Sequence, residues 1–326
     1  MPPTTQKLAP PTPGAPAPLP TARRGRSTGT RDLPAWGFLA PAIVLFVVFM
    51  ALPIGYAAYL SLRTVKVSGL GLGSGARTES WAGLSNYSRA LSDPEFLASV
   101  GRVGLYGLLL VPTMIVLALL FALLLDSRGA RAKGFSRISI FLPYAVPAVI
   151  SSLLWGFLYL PAVSPFYYVF EKLGWDAPSL LSSNLVLFAI ANIALWGGVG
   201  FNMIVIYTSL KAIPTDIYEA ARIDGANERT IALRIKVPIV TPSLIMTFVF
   251  SMIATLQVFA EPTTLRPLTN TISTTWSPLM KVYRDAFTRD DLYSAAATSI
   301  IIAAATFILS FGFLRLVQSR AFSQEK

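Results

Sequence analysis

Residues 103–125 read VGLYGLLLVPTMIVLALLFALLL, without one charged side chain. As a helix rising 1.5 Å per residue this run is about 35 Å long, enough to cross a hydrocarbon layer of about 30 Å. A helix that is apolar all round has no face to offer water, so the stretch predicts a transmembrane span. Outward from it, residues 36–62, 138–163, 185–210, 237–260 and 292–314 share the same lack of charge. Six spanning helices follow, an all-α membrane protein with both termini on one side. Pro41, Pro53, Pro112, Pro143, Pro147 and Pro242 lie in or near the runs and predict kinks that neighbouring helices can accommodate.

Composition agrees. The chain has 326 residues, a mean hydropathy of +0.59, 54% hydrophobic and only 13% charged residues, against about 25% charged in soluble domains. The net charge of +11 sits in short basic clusters beside the apolar runs. No basic stripe interleaved with aromatics is present, so the charge speaks for anionic headgroups and membrane lipid, not nucleic acid. With no Cys and no His, disulfides, thiolate nucleophiles and histidine bases are excluded. No G-x-x-x-x-G-K-[ST] sequence occurs either, so the chain holds no nucleotide through a P-loop.

Residues 1–33 are rich in Pro, Thr, Ala and Gly and carry Arg23, Arg24, Arg26 and Arg31, which predicts a disordered basic cytoplasmic tail. The following apolar run is longer than the core of a signal peptide, about 7–15 residues. Residues 34–322 form the membrane domain and 323–326 a short C-terminal tail. Arg128, Arg131, Lys133 and Arg137 crowd the second connection, whereas Lys172 is the lone basic residue of the third. The excess of basic residues places the second and fourth connections and both termini in the cytoplasm. The third connection, with Tyr167, Tyr168, Glu171 and Trp175, reads as an interfacial excursion on the other side.

The polar stretch 211–238 reads as two short helices joined by a turn. Pro214 suits a first helical position, Thr215 or the residues before it can cap, and Asp216 and Glu219 favour the N-terminal end. Gly225 supplies a left-handed stop, and Asn227 caps the next helix. Ile213, Ile217, Ala220 and Ala221 fall along one side, where small side chains allow close approach.

Glu219, Ala220 and Ala221, then three residues, Gly225, nine residues, and Ile235, Lys236, Val237 and Pro238, resemble the EAA loop of binding-protein-dependent ABC permeases. The resemblance extends from about Trp36 to Phe322. It includes Leu84-Ser85-Asn86-Tyr87, Phe141-Leu142-Pro143, Gly200-Phe201-Asn202-Met203 and Val282-Tyr283 with Ala286-Phe287, which are similar to the maltose and glycerol-phosphate type permeases. Two departures are Val237 where Leu is usual, and Leu265-Arg266-Pro267-Leu268-Thr269 in place of a Gly-Gly-Pro stretch.

This resemblance implies a type I ABC importer permease fold in a bacterial inner membrane and a transport subunit, not an enzyme, for a sugar or oligosaccharide. It implies that Glu219, Ala220, Ala221, Asp224, Gly225 and Pro238 belong to a coupling surface. Glu219 would meet a basic residue of the ATPase, Ala220 and Ala221 would pack closely, and Gly225 would turn the chain. The implied partners are a second permease subunit in a heterodimer, a dimeric cytoplasmic ABC ATPase that binds ATP and Mg, and an extracytoplasmic solute-binding protein. No cofactor is expected on this chain. The bland alternative for residues 211–238 is an amphipathic loop on the membrane surface.

Polar groups within the spans are the remaining clue. Asn192, Trp196, Met203 and Tyr207 fall on one face of the fourth run beside Gly197, Gly198 and Gly200. Ser251 and Thr255 lie one turn apart in the fifth, with Gln257 following. Trp196, Gly198, Phe201, Ser251, Thr255 and Gln257 are candidates for a solute pathway, since aromatic planes stack on sugar rings and hydroxyls bond them. Ser, Thr and Gln serve equally as bridges between helices. An importer of a different polar solute and an ATP-independent secondary transporter are the competing readings. The absence of acids and His inside the spans disfavours proton coupling.

Overall fold

The computed structural model describes residues 33–67 and 77–321. Apart from Leu33 itself, the expected N-terminal tail lies outside the described residues, as does the C-terminal tail. The chain divides into two compact units between Leu52 and Pro53. The first holds α1 (Leu33–Phe46) and a wide π turn, Val47–Ala51, that runs into α2 (Leu52–Ser61). Residues Trp36–Ser61 are long and apolar enough to cross a membrane.

The second unit takes in the rest of α2 and then a feature the hydropathy pattern does not announce, a two-stranded antiparallel ribbon. In it β1 (Arg63–Val67) pairs with β2 (Arg77–Trp81), with Val65 opposite Glu79. Next comes α3 (Ser85–Leu91), whose buried Asn86 donates to the Ser61 and Arg63 carbonyls at 2.8 and 2.7 Å and so fixes the ribbon's root. The long α4 (Pro94–Asp126) starts where Asp93 accepts from the Glu95 amide at 2.8 Å and Pro94 fills the first turn. At about 50 Å it overshoots a bilayer core of about 30 Å.

The third apolar run is not one kinked helix. It divides into α5 (Lys133–Phe141) with a 3₁₀ turn, Leu142–Ala145, and α6 (Ala148–Leu158), the two halves bent by 98°. Pro143 and Pro147 each remove an amide, and the second forces Val146 into an extended conformation with ψ of 124°. After α7 (Pro165–Lys172), capped by Ser164, come α8 (Val186–Lys211) and the polar segment. That segment holds α9 (Thr215–Ile223), α10 (Glu228–Thr230), a π turn at Ile231–Lys236 and α11 (Val237–Ile239).

The fifth run consists of α12 (Thr241–Leu256) and α13 (Ala260–Leu265), and its apolar stretch continues to Leu268, further than the uncharged run predicts. The chain ends with α14 (Pro278–Phe287) and α15 (Leu292–Ala321). Among the described residues five stretches are long and apolar enough to span, or six with the bent pair counted as one.

The core lies between α4 and α8. Ala118 and Ala122 of α4 are wholly buried against Met203, Ile206 and Leu210, because small side chains let the two backbones approach. Towards the other end Tyr106, Ile190, Ile193, Leu265 and Trp276 form a second cluster. Leu105, Leu108, Val116, Leu120 and Leu124 on the remaining face of α4 stay exposed, an apolar surface suited to lipid. Gly200 sits where a Cβ would collide with the Ile140 and Phe141 backbone, so α8 crosses the end of α5 backbone to backbone.

Ion pairs close both ends. At the Asp93 end, α14 is clasped to α4. Lys281 pairs with Asp93 at 3.0 Å, Arg284 with Glu95 at 2.7 Å, and Arg102 donates to the Thr275 and Trp276 carbonyls. At the Asp126 end, the same carboxylate meets Lys211 at 2.8 Å and Lys236 at 2.6 Å.

Candidate functional site

Where α5 breaks into α6, the chain cannot fill the space beside α8, and a cavity of about 780 Å³ opens. That is within the usual range for small-molecule sites, about 300–1,000 Å³. Its walls are Tyr106, Leu110 and Met114 of α4, residues 143–148 and Ser151 around the break, and Ile193, Ala194, Gly197, Gly198, Phe201 and Asn202 of α8. Phe250, Ser251, Ala254 and Thr255 of α12 and residues 257–261 complete it.

Each polar or aromatic group is placed by its helix. Phe201 stacks on Tyr144 with ring centroids 4.9 Å apart, which braces the break against α8. Ser251 donates to the Asn202 side chain at 3.4 Å, and Thr255 donates to the Ser251 carbonyl at 2.7 Å. The buried Ser251 hydroxyl therefore bridges α12 to α8, whereas that of Thr255 bonds back within α12, and both residues line the wall. Gly198 is a contact glycine, since an added Cβ would fall 2.7 Å from Met114 Cε. Gln257 lies on the exposed wall where α12 has ended.

Of the six predicted pathway residues, Gly198, Phe201, Ser251, Thr255 and Gln257 line the cavity together. Trp196 does not. It turns away to meet Trp155 edge to face at 6.0 Å, because the cavity follows the face of Ile193, Gly197 and Phe201, about 100° per residue from the one expected. Met203 is likewise core, and Asn192 bonds the Tyr159 hydroxyl at 2.9 Å. Asn202, Tyr144 and Glu261 are lining residues that the spacing of the uncharged runs does not single out.

The polar segment has the turn its residues predict. Gly225 adopts a φ of +82°, Ala226 donates back to the Ala221 carbonyl at 2.9 Å, and Asn227 caps α10 by accepting from the Thr230 amide at 2.8 Å. Pro214 stands one place earlier than predicted, as the residue before the helix, and no side chain caps α9. Arg222 reaches Glu228 at 2.9 Å across the turn. Glu219 and Ala220 are exposed beside Ile217 and Ile223, the latter 86% exposed, so α9 presents an apolar face to solvent. Asp224 closes α9, and Pro238 opens the way into α12.

Asp126 holds this segment. Its carboxylate, 6% exposed, is shared by Lys211 where the segment begins and by Lys236 where it ends. Lys236 also lies 4.9 Å from the Tyr218 ring centroid. Burial, and then the Asp126 charge, push the Tyr218 hydroxyl above its ordinary range. The arrangement is a cavity between broken helices, with a braced polar elbow at one end.

Fold and cavity together define a polytopic membrane transport protein. The family model for the binding-protein-dependent transport system inner membrane component matches residues 114–323, and the chain belongs to that family, as a permease subunit of an ABC importer. It is 31% identical over 288 residues to the sn-glycerol-3-phosphate transport system permease protein UgpA of Agrobacterium fabrum, covering 86% of this chain and 94% of that protein. A protein of the same name from Rhizobium meliloti is 31% identical over 286 residues, with the same coverage. A chain of a bacterial ABC transporter involved in import of the acidic polysaccharide alginate shares the fold, with a TM-score of 0.75 at 19% identity, over 89% of this chain and 96% of that one.

Proposed function

We propose that this chain forms half of the translocation pathway for a sugar or oligosaccharide, driven by ATP hydrolysis on a separate cytoplasmic ABC ATPase seated against α9. The observation that carries the reading is the exposed face of Ile217, Ala220 and Ile223 on an elbow whose two ends are tied to Asp126. A short helix leaves such a face uncovered when another surface is to occupy it. Glu219 beside it offers a carboxylate to a basic partner group, and Gly225 gives the elbow its angle.

In this reading the Asp126 end is cytoplasmic, as its basic surroundings Arg128, Arg131 and Lys133 favour. The opposite end, with the ribbon and α14, faces an extracytoplasmic solute-binding protein. A second permease subunit closes the cavity, in which Gly198, Phe201, Ser251, Thr255 and Gln257 face the solute. ATP and Mg reside in the ATPase. The names of the relatives, for glycerol phosphate and alginate transport, support a polyhydroxylated solute.

The test is Gly225→Val in the reconstituted complex. A β-branched residue strains at a φ of +82°. Assembly should persist while ATP turnover no longer drives uptake, measured as the ratio of solute accumulated to phosphate released. An unchanged ratio would rule out coupling through this elbow.

A further inference from the structure

We infer that the cavity admits an uncharged saccharide or polyol and that Glu261 bars anions from it, an inference that rests on the importer reading above. Among the lining residues there is no Lys or Arg, and Glu261 is the one carboxyl group. Glu261 enters the wall because α12 ends at Leu256 and the chain restarts as α13 at Ala260, which turns the first turn of α13 towards the cavity.

Asp93, Glu95, Asp126 and Asp285 each have an ion pair, whereas Glu261 has neither an ion pair nor a bond to another side chain among the described residues, its carboxyl accepting from its own backbone amide. A carboxylate at membrane depth without a partner is costly unless it faces a wet cavity and serves it. Its two oxygens accept hydrogen bonds from solute hydroxyls, and charge makes those bonds strong. Tyr144, Phe201, Phe250 and Phe259 supply ring faces for stacking. An anionic solute would find no cation on these walls. It would instead meet the Glu261 carboxyl, which when ionised repels it with little screening in these low-dielectric surroundings.

The absence of cysteine makes a direct test available. Ala254→Cys places a single thiol of this chain on the exposed cavity wall. In the assembled complex it is treated with methyl methanethiosulfonate, which is neutral, and with the anionic 2-sulfonatoethyl reagent, and modification is read from the mass of this chain. Comparing the two reagents cancels any change in thiol ionisation. The anionic reagent should be slower by about tenfold relative to the neutral one, and adding Glu261→Gln should remove most of that difference. A ratio that Glu261→Gln leaves unchanged overturns the inference, as does failure of the neutral reagent to reach the thiol.

Uptake separates this inference from the reading beneath it. Proteoliposomes carrying the complex and its binding protein are offered maltose, cellobiose and trehalose on one side of the comparison, digalacturonate and glycerol 3-phosphate on the other. Uptake confined to the neutral sugars supports the inference. Uptake of the anions overturns it and leaves the importer of polyhydroxylated solutes standing. Uptake of none, with ATP still hydrolysed, overturns the saccharide reading itself, and the thiol ratio alone then decides whether Glu261 repels anions.

Discussion

Gly200 and Gly225 show two different demands on the same residue type. At Gly225 the demand is conformational and local, so Gly followed two places later by a capping Asn made the turn legible from sequence. At Gly200 it is steric and distant, since the space is taken by the Ile140 and Phe141 backbone some sixty residues away. Gly200→Val should therefore force α8 off α5 at a cost of at least about 1–3 kcal/mol, the usual penalty for overpacking. Thermal unfolding of the purified protein would register it, and an unaltered midpoint would show that the two backbones are not in contact. Trp196 lies off the cavity wall and Glu261 on it for a related reason. Which face of an all-apolar helix meets a cavity is set by its neighbours, and a helix end is placed by a break that periodicity does not mark.

Among the elements, the long apolar helices were legible because hydrocarbon tolerates so few other sequences, while their interruptions were not. Two prolines four residues apart in the third run permit either a gentle kink or the 98° break observed, and only packing against α8 distinguishes them. The ribbon was hidden because strands of five residues carry little pattern. The clasp between α14 and α4 joins residues far apart in sequence and has a testable acid dependence. Burial alone would raise the Asp93 carboxyl, but its bonds to Lys281 and to the Glu95 amide outweigh that, and it titrates below its ordinary value of 3.8. A depressed folded-state value means the stabilisation is full above that pH and disappears as pH falls through the lower one. The gap in thermal midpoint between wild type and Asp93→Asn should accordingly be constant from neutrality down to about pH 5 and shrink below 3.8. A gap that does not narrow at all below 3.8 would count against the ion pair.

At the scale of the whole molecule, three of the helices that wall the cavity also hold the polar elbow. Tyr106, Gly198 and Ser251 line the space from α4, α8 and α12, and these helices carry Asp126, Lys211 and, through α11, Lys236 at one end. Asp126→Ala would strand the buried ammonium of Lys236, a loss of about 3–5 kcal/mol. The double variant with Lys236→Met should recover most of it, as chemical denaturation would reveal, and equal instability of both would refute the pairing. The partners are 110 residues apart, which is why composition and motif gave no sign of them. A chain segment knotted to one carboxylate at both its ends behaves like a stirrup: a push on its tread has no slack to take up. Under the proposed coupling such a push would reach all three uprights together, and the chamber beside them would change shape as a unit.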